Sequence, residues 1–153
     1  MPAQPFEIKP ATEEEREWAT LLIVNSEPWT RIGSDLERCR KTLHEPEYPL
    51  YIAHSGGKPT GMILLHKRGF ASSPYVRLLA VAPEFRSRGV GAALMQFAEE
   101  LFKPEAKHLF LCVSSFNPRA KKFYERLGYQ MIGEIEDYVV EGESEYMMHK
   151  RIA

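Results

Sequence analysis

The amino-acid sequence predicts a mixed α/β fold of the α+β kind, a sheet flanked by helices in the order β-α-α-β-β-β-α-β-α-β-β. Three observations predict it. Two segments with helix-cap signals follow a short alternating strand. Three strand-like runs then come in succession between Leu50 and Val81. From Gly89 onward, helical and strand periodicities alternate. A regularly alternating doubly wound sheet would show neither two consecutive helices nor three consecutive strands. At 153 residues the chain suits one domain, 1–153, with no repeat, low-complexity tract or Gly/Ser linker to divide it.

Each element has its own signal. Phe6-Glu7-Ile8-Lys9 alternates apolar and polar residues as a half-buried strand does. Thr12 followed by Glu15 forms a capping box, with Trp18, Leu21, Leu22 and Asn25 on the faces of the helix it opens. Glu27-Pro28-Trp29 breaks that helix. Ser34 and Asp35 can cap a second helix carrying Leu36, Cys39, Arg40 and Leu43. Strands Leu50–His54 and Pro59–His66 flank Ser55-Gly56-Gly57-Lys58, a hairpin signal, and Tyr75–Val81 continues the meander to Ala82-Pro83. Gly89–Phe102 places Val90, Leu94, Phe97, Ala98 and Leu101 on one helical stripe. His108–Val113 is nearly all apolar, as in a strand buried on both faces. Asn117 opens a helix that ends at Leu127-Gly128, and Tyr129–Ile135 and Glu143–Arg151 close the order as strands.

Charge and composition exclude several classes. Lys and Arg number 20 against 21 Asp and Glu, so the basic surplus of a nucleic-acid binder is missing. Met1–Pro10 lacks the pattern of a signal peptide, and no apolar run is long enough to span a bilayer. Cys39 and Cys112 follow no metal-ligand spacing, and no metal is expected. The reading is a soluble cytoplasmic protein.

The sharpest chemical feature is the strand ending at Val81 that runs into Arg86-Ser87-Arg88-Gly89-Val90-Gly91 and then a helix. Free amides and the macrodipole make such a helix start attractive to anions. Glycines let a pyrophosphate approach the backbone, and Arg86 and Arg88 add cationic donors. On glycine spacing alone, a strand-turn-helix junction closed for tight packing reads equally well.

The segment Leu79-Ala80-Val81-Ala82-Pro83-Glu84-Phe85-Arg86-Ser87-Arg88-Gly89-Val90-Gly91-Ala92-Ala93-Leu94 resembles the coenzyme-A-binding segment of the GCN5-related N-acetyltransferase (GNAT) family. Asn117-Pro118-Arg119-Ala120-Lys121-Lys122-Phe123-Tyr124-Glu125-Arg126-Leu127-Gly128-Tyr129 is similar to that family's second signature. The resemblance implies a mostly antiparallel central sheet and an enzyme transferring acetyl, or another short acyl group, from acyl-CoA to a primary amine. It implies that Leu79, Ala80 and Val81 pair their backbone with the pantetheine arm. Ser87, Arg88, Gly89, Val90, Gly91 and Ala92 then supply amides for the pyrophosphate, with Arg86 beside them. Asn117 contacts the cofactor near the pantetheine or sulfur, and Tyr124 protonates the departing thiolate. A phenol of pKa about 10 stays protonated at neutral pH and can donate, so that role is chemically sound. Taken alone, Tyr124 reads as an aromatic packing helix on sheet.

The general base is not declared. Family members often carry a glutamate on the strand before the turn, but Tyr75–Val81 holds no carboxylate. In ribosomal-protein N-terminal acetyltransferases a glutamate lies five residues before the matching asparagine, a place taken here by Cys112, which weakens a protein-N-terminus assignment. Apolar neighbours make Cys112 read as a buried, inert thiol, and Cys39 likewise.

Acceptor contacts in the family come from the loop between the first two helices and the last strand pair, here Glu27–Arg31 and Asp137–Glu141. Trp29 and Tyr138 are the candidate aromatic walls, and Glu27, Asp137 or Glu145 candidates to attract an ammonium. His54 and His66 are candidate proton relays, although strand histidines are more often satisfied or exposed. Arg77 stands out in its apolar strand, for an anionic acceptor, for solvent or for a carboxylate. The acceptor is expected to be a small-molecule amine, the alternatives being a protein lysine or N-terminal amine, or an acyl-CoA sensor with weak catalysis. No nucleic-acid or membrane partner is expected, and the family resemblance makes a homodimer through terminal strands plausible.

Overall fold

The structure, a computed structural model, describes residues 6–27, 29–33 and 35–153. Pro28, the expected helix breaker, Ser34, one of two expected cap residues, and the first five positions, read above for a leader, lie outside the described residues.

The strands are β1 (Glu7–Pro10), β2 (Leu50–Ser55), β3 (Lys58–Phe70), β4 (Ser73–Val81), β5 (His108–Ser114), β6 (Gln130–Glu136) and β7 (Ser144–Arg151). They form one seven-stranded sheet in the order β1-β2-β3-β4-β5-β7-β6. Every neighbouring pair is antiparallel except β4 and β5. Helices α1 (Glu13–Val24), α2 (Leu36–Leu43), α3 (Val90–Phe102) and α4 (Pro118–Arg126) complete the expected order. Between β4 and α3 a single 3-10 turn, Pro83–Phe85, forms where the sequence suggested only a connection, with Pro83 at its first position. No helix among the described residues is long and apolar enough to cross a membrane.

The caps work as their residue types require. Thr12 Oγ1 accepts from Glu15 N at 3.1 Å and Glu15 Oε1 accepts from Thr12 N at 3.0 Å, closing the capping box. Asp35 accepts from Arg38 N at 2.8 Å at the start of α2. Gly128 ends α4 at φ +97°, a left-handed position that a glycine takes without strain.

Apolar side chains form two clusters, one on each face of the sheet. Helices α1 and α2 cover one face through Ala19, Ile23, Cys39 and Leu43, against Ile52, Met62, Leu64 and Ala80. Helices α3 and α4 cover the other, through Val90, Leu94, Met95, Ala98 and Tyr124, against Ile63, Val76, Leu111 and Val113. Gly61 on β3 allows the approach of α3: a Cβ there would lie 2.7 Å from Val90 Cγ1 and 3.1 Å from Ala80 O.

Three expectations from periodicity need correction. Leu21 is 46% exposed and Leu101 39% exposed, because α1 and α3 turn Ala19/Ile23 and Met95/Phe102 to the sheet instead. Strand β5 is covered on one face only: Leu109, Leu111 and Val113 are buried, while His108, Phe110 and Cys112 alternate with them at intermediate exposure. Cys112 is therefore half-buried rather than buried, although burial still pushes its thiol pKa up, as it does for buried Cys39.

Candidate active site

Strands β4 and β5 pair at Tyr75↔Phe110 and Val76↔Leu111, and there the parallel ladder ends. Beyond it β4 continues to Val81 along β3, and β5 continues to Ser114 along β7. A bulge accounts for the parting. Leu65 pairs Val76 and Leu64 pairs Leu78, so Arg77 is the extra residue on β4. After it, Leu78 and Ala80 turn to the α1/α2 face while Leu79 and Val81 turn to the α3/α4 face. The sheet thus carries a wedge whose β4 side is the backbone of Leu78, Leu79, Ala80 and Val81, an edge that no strand pairs and that an extended ligand could join, Val81 O excepted, since it accepts from Arg86. Arg77, exposed, places its guanidinium 4.9 Å from the Tyr48 ring centroid, which answers the question left by its position in an apolar strand.

At the mouth of the wedge lies the turn 86–92. Ser87 and Gly89 hold left-handed conformations, φ +63° and +86°. Gly89 is the N-cap of α3, no side chain caps the helix, and its first turn holds no acidic residue. The first amides of α3 therefore face outward, in a concavity of the kind that left-handed turn residues build for anions. Arg86 Nε donates to Val81 O at 3.4 Å, and the Arg88 guanidinium lies 5.6 Å from the Phe85 ring centroid, so both arginines border the turn. A cavity of about 500 Å³ begins at Arg88 and Gly89 and follows α3 along Ala92, Ala93 and Gln96.

The second signature is brought to the same place. A Cβ on Gly91 would lie 3.2 Å from Phe123 Cζ and 3.8 Å from Val81 Cγ2, so α3, α4 and the end of β4 meet there. Asn117 is the N-cap of α4, its Oδ1 accepting from Ala120 N at 3.3 Å. Tyr124 is 9% exposed in the cluster shared with Val76, Leu111 and Val113, and burial raises its pKa well above the ordinary tyrosine value. Its hydroxyl makes no hydrogen bond to a described residue, so the proton it carries is not committed to the fold.

The acceptor candidates occupy a different neighbourhood. Trp29 packs, partly buried, on the α1/α2 cluster, and Tyr138 is 67% exposed in the β6–β7 turn. The structure does not bring these two into contact. What ties their loops together is a strap that sequence reasoning missed. Arg31 sits 3.5 Å from Glu143 and 4.6 Å from the Phe116 ring centroid, and Glu143 also accepts from the Ser115 hydroxyl. Ser115 and Ser144 exchange bonds of 2.8 and 2.9 Å beneath it. No local pattern announces such a link, since its members lie on three separate loops.

His54 is bound through Nε2 to Glu15 Oε2, with its Nδ1 buried and without a partner among the described residues, and the His66 ring lies tilted against Tyr48 at 4.9 Å between centroids. Glu145 on β7 faces Ser114, whose hydroxyl donates to it at 2.8 Å. Burial raises its pKa against that hydrogen bond. Among the described residues no three His, Cys, Asp or Glu side chains converge as a metal site.

A family model described as the acetyltransferase (GNAT) family matches residues 10–129. An acetyltransferase of Pectobacterium atrosepticum is 31% identical over 106 residues, 69% of this chain and 72% of that one. An N-alpha-acetyltransferase of Sulfurisphaera tokodaii is 27% identical over 118 residues, 69% of this chain and 71% of that one. Among solved structures, a GNAT-family protein from Desulfovibrio desulfuricans superimposes with a TM-score of 0.85 at 14% identity, covering 97% of this chain and 99% of that one. An aminoglycoside 6'-N-acetyltransferase complexed with coenzyme A gives 0.76 at 17% identity, covering 96% and 97%. At these identities the structural likeness is one of fold.

Proposed function

The chain belongs to the acetyltransferase (GNAT) family and is an N-acetyltransferase, and from that premise we propose that it passes acetyl from acetyl-CoA to the primary amine of a small molecule by direct attack. One observation carries the donor half of this reading: at Gly91 the end of β4, the uncapped turn and α4 converge. In this reading the free edge of Leu79–Val81 binds the amides of the pantetheine arm. The amides of Ser87–Ala92, with Arg86, hold the pyrophosphate. Asn117 stands beside the arm with its Nδ2 amide, since its Oδ1 is used in capping. Tyr124 donates the proton that the sulfur needs as it leaves. The coenzyme A complex of the aminoglycoside acetyltransferase, a protein of the same fold, supports acyl-CoA as the donor.

The choice of a small-molecule acceptor rests on the Arg31–Glu143 strap, which joins the two acceptor loops and favours a bounded pocket over an open groove. A peptide amine is the second reading, favoured by the relative named an N-alpha-acetyltransferase. Mixing the protein with acetyl-CoA and an amine panel, and following thiol release, tests the proposal. Release with small amines and none with peptides supports it. Release confined to peptides would move the assignment to the second reading, and calorimetric binding of acetyl-CoA without release would refute transfer.

A further inference from the structure

The donor half of the site leaves the attacking nitrogen's proton unassigned, and the sheet itself supplies a group for it. Leu109, Leu111 and Val113 point from β5 into the α3/α4 cluster, so Cys112 and Ser114 point to the opposite face. The ladder pair Ser114↔Glu145 puts Glu145 on that face too, and the 2.8 Å hydrogen bond confirms the direction. Helices α1 and α2 cover that face over β2, β3 and β4, but no helix among the described residues packs there over β5 and β7. Glu145 therefore stands next to the wedge, where β5 has parted from β4, on the side open to an acceptor. Glu143 of the Arg31–Glu143 strap lies two residues before it in the chain, just ahead of β7.

The surroundings of this carboxylate are unusual for a structural one. Ser114 is its one hydrogen-bond donor, and no lysine, arginine or histidine among the described residues lies within ion-pair distance. The titratable groups around it are Tyr75 from β4 and Cys112 from β5, both of which feel its charge. Its ladder partner on β6, Ile135, carries none. Arg31 is engaged with Glu143, and Arg77 with the Tyr48 ring. A half-buried carboxylate without a cation is costly unless it serves a ligand, and an ammonium group is the complementary one.

We propose that Glu145 is the base that takes a proton from the acceptor's ammonium group. This rests on the transferase reading above. The carboxylate accepts one proton from the ammonium and returns it to solvent. The freed amine then attacks the thioester carbonyl carbon, forming the N–C bond. As the C–S bond breaks, the sulfur leaves with the electron pair and takes the Tyr124 proton, while the nitrogen's second proton passes through solvent to the Tyr124 phenolate and restores it. One ammonium and one thioester thus give one amide, one thiol and one proton. Ser114 is a positioning residue, which holds the carboxylate and favours its charged form.

Glu145→Gln keeps the shape and the Ser114 contact and removes the base. With acetyl-CoA and three probes (benzylamine, Nα-acetyl-lysine amide and an alanine-initiated tetrapeptide), kcat/KM at pH 7 should fall by about 10²-fold or more. The deficit should narrow above pH 9, where solution supplies free amine, while the calorimetric affinity for acetyl-CoA stays within twofold, roughly the margin of an undisturbed fold. Glu145→Asp should restore part of the activity. Ser114→Ala should move the acid limb of the pH profile to higher pH, because the charged carboxylate loses its donor. Full turnover by Glu145→Gln with an unchanged pH profile would overturn the role of Glu145 and leave the transferase reading intact. Acetyl-CoA binding by the wild type with no turnover of any probe would overturn both.

Discussion

Gly89 offers a clean test of the anion-binding turn. It caps α3 at φ +86°, and a Cβ built on it meets nothing within 4 Å. Alanine there would strike no neighbour, so Gly89→Ala isolates the conformational cost of a left-handed L-residue, about 1–2 kcal/mol. Where that cost appears depends on the turn. If the turn keeps its shape without ligand, folding bears the cost, and the melting temperature falls by about 2–8 °C for a chain of this size. If the turn relaxes when empty and reforms on binding, the same cost weakens coenzyme A by about 5–30-fold. The two losses together should not exceed the conformational figure. Calorimetric melting and titration with coenzyme A measure them separately, and D-alanine at position 89, introduced by semisynthesis, should reverse both. Unchanged melting and affinity in Gly89→Ala would refute the claim that the turn needs a left-handed residue. A loss of affinity well beyond about 30-fold, with normal melting, would show that the Cβ collides with the ligand itself.

Tyr124→Phe should lower kcat by about 10²-fold or more while leaving stability unchanged, since the hydroxyl makes no bond to a described residue; steady-state kinetics and thermal melting check the pair. Glu99 accepts from the Tyr129 hydroxyl and from Lys150 Nζ, each at 2.9 Å. Glu99→Ala leaves the buried Tyr129 hydroxyl without its acceptor and should cost about 1–3 kcal/mol in urea unfolding. The Arg40 guanidinium, with His44 behind it, holds Glu17 down from 4.5 to about 2. A depressed carboxylate pKa stabilises the fold above its unfolded value and is lost as pH falls, so the loss should run from about pH 4.5 to about pH 2 and be flatter in Glu17→Gln, as acid-unfolding curves would show.

The caps and turns were legible in the chain because they are local. A helix start, a glycine turn and an N-cap asparagine are each written within a few consecutive residues, and Thr12/Glu15, Asp35 and Asn117 cap the helices they were read to cap. The hairpin at Gly56-Gly57 is local in the same sense, and both residues take positive φ. What was not legible depends on pairing between distant segments. The Arg77 bulge exists only relative to Leu64 and Leu65 on the next strand. The open face of β5 is set by where α1 and α2 end their coverage, so an apolar run looked buried on both sides when it is covered on one. Glu145 was one carboxylate among three candidates until the register set it opposite Ser114. Leu21 and Leu101 were misplaced for a simpler reason: neighbouring apolar residues offered two stripes, and the sheet selected the other.

The parting of β4 from β5 also bears on how the protein survives without its ligand. A stretch of strand with unsatisfied backbone groups is a template for any passing chain, and proteins ordinarily shield such edges. Past Val76 no strand pairs this side of β4, and under the proposed function that edge is kept for the pantetheine arm. A ligand that completes the ladder would therefore act as a temporary eighth strand, and at about one hundred times its Kd would add about 2.7 kcal/mol to stability. The abundance of acyl-CoA in the cell would then govern the lifetime of the enzyme as well as its rate, with starved molecules the first to aggregate or be degraded.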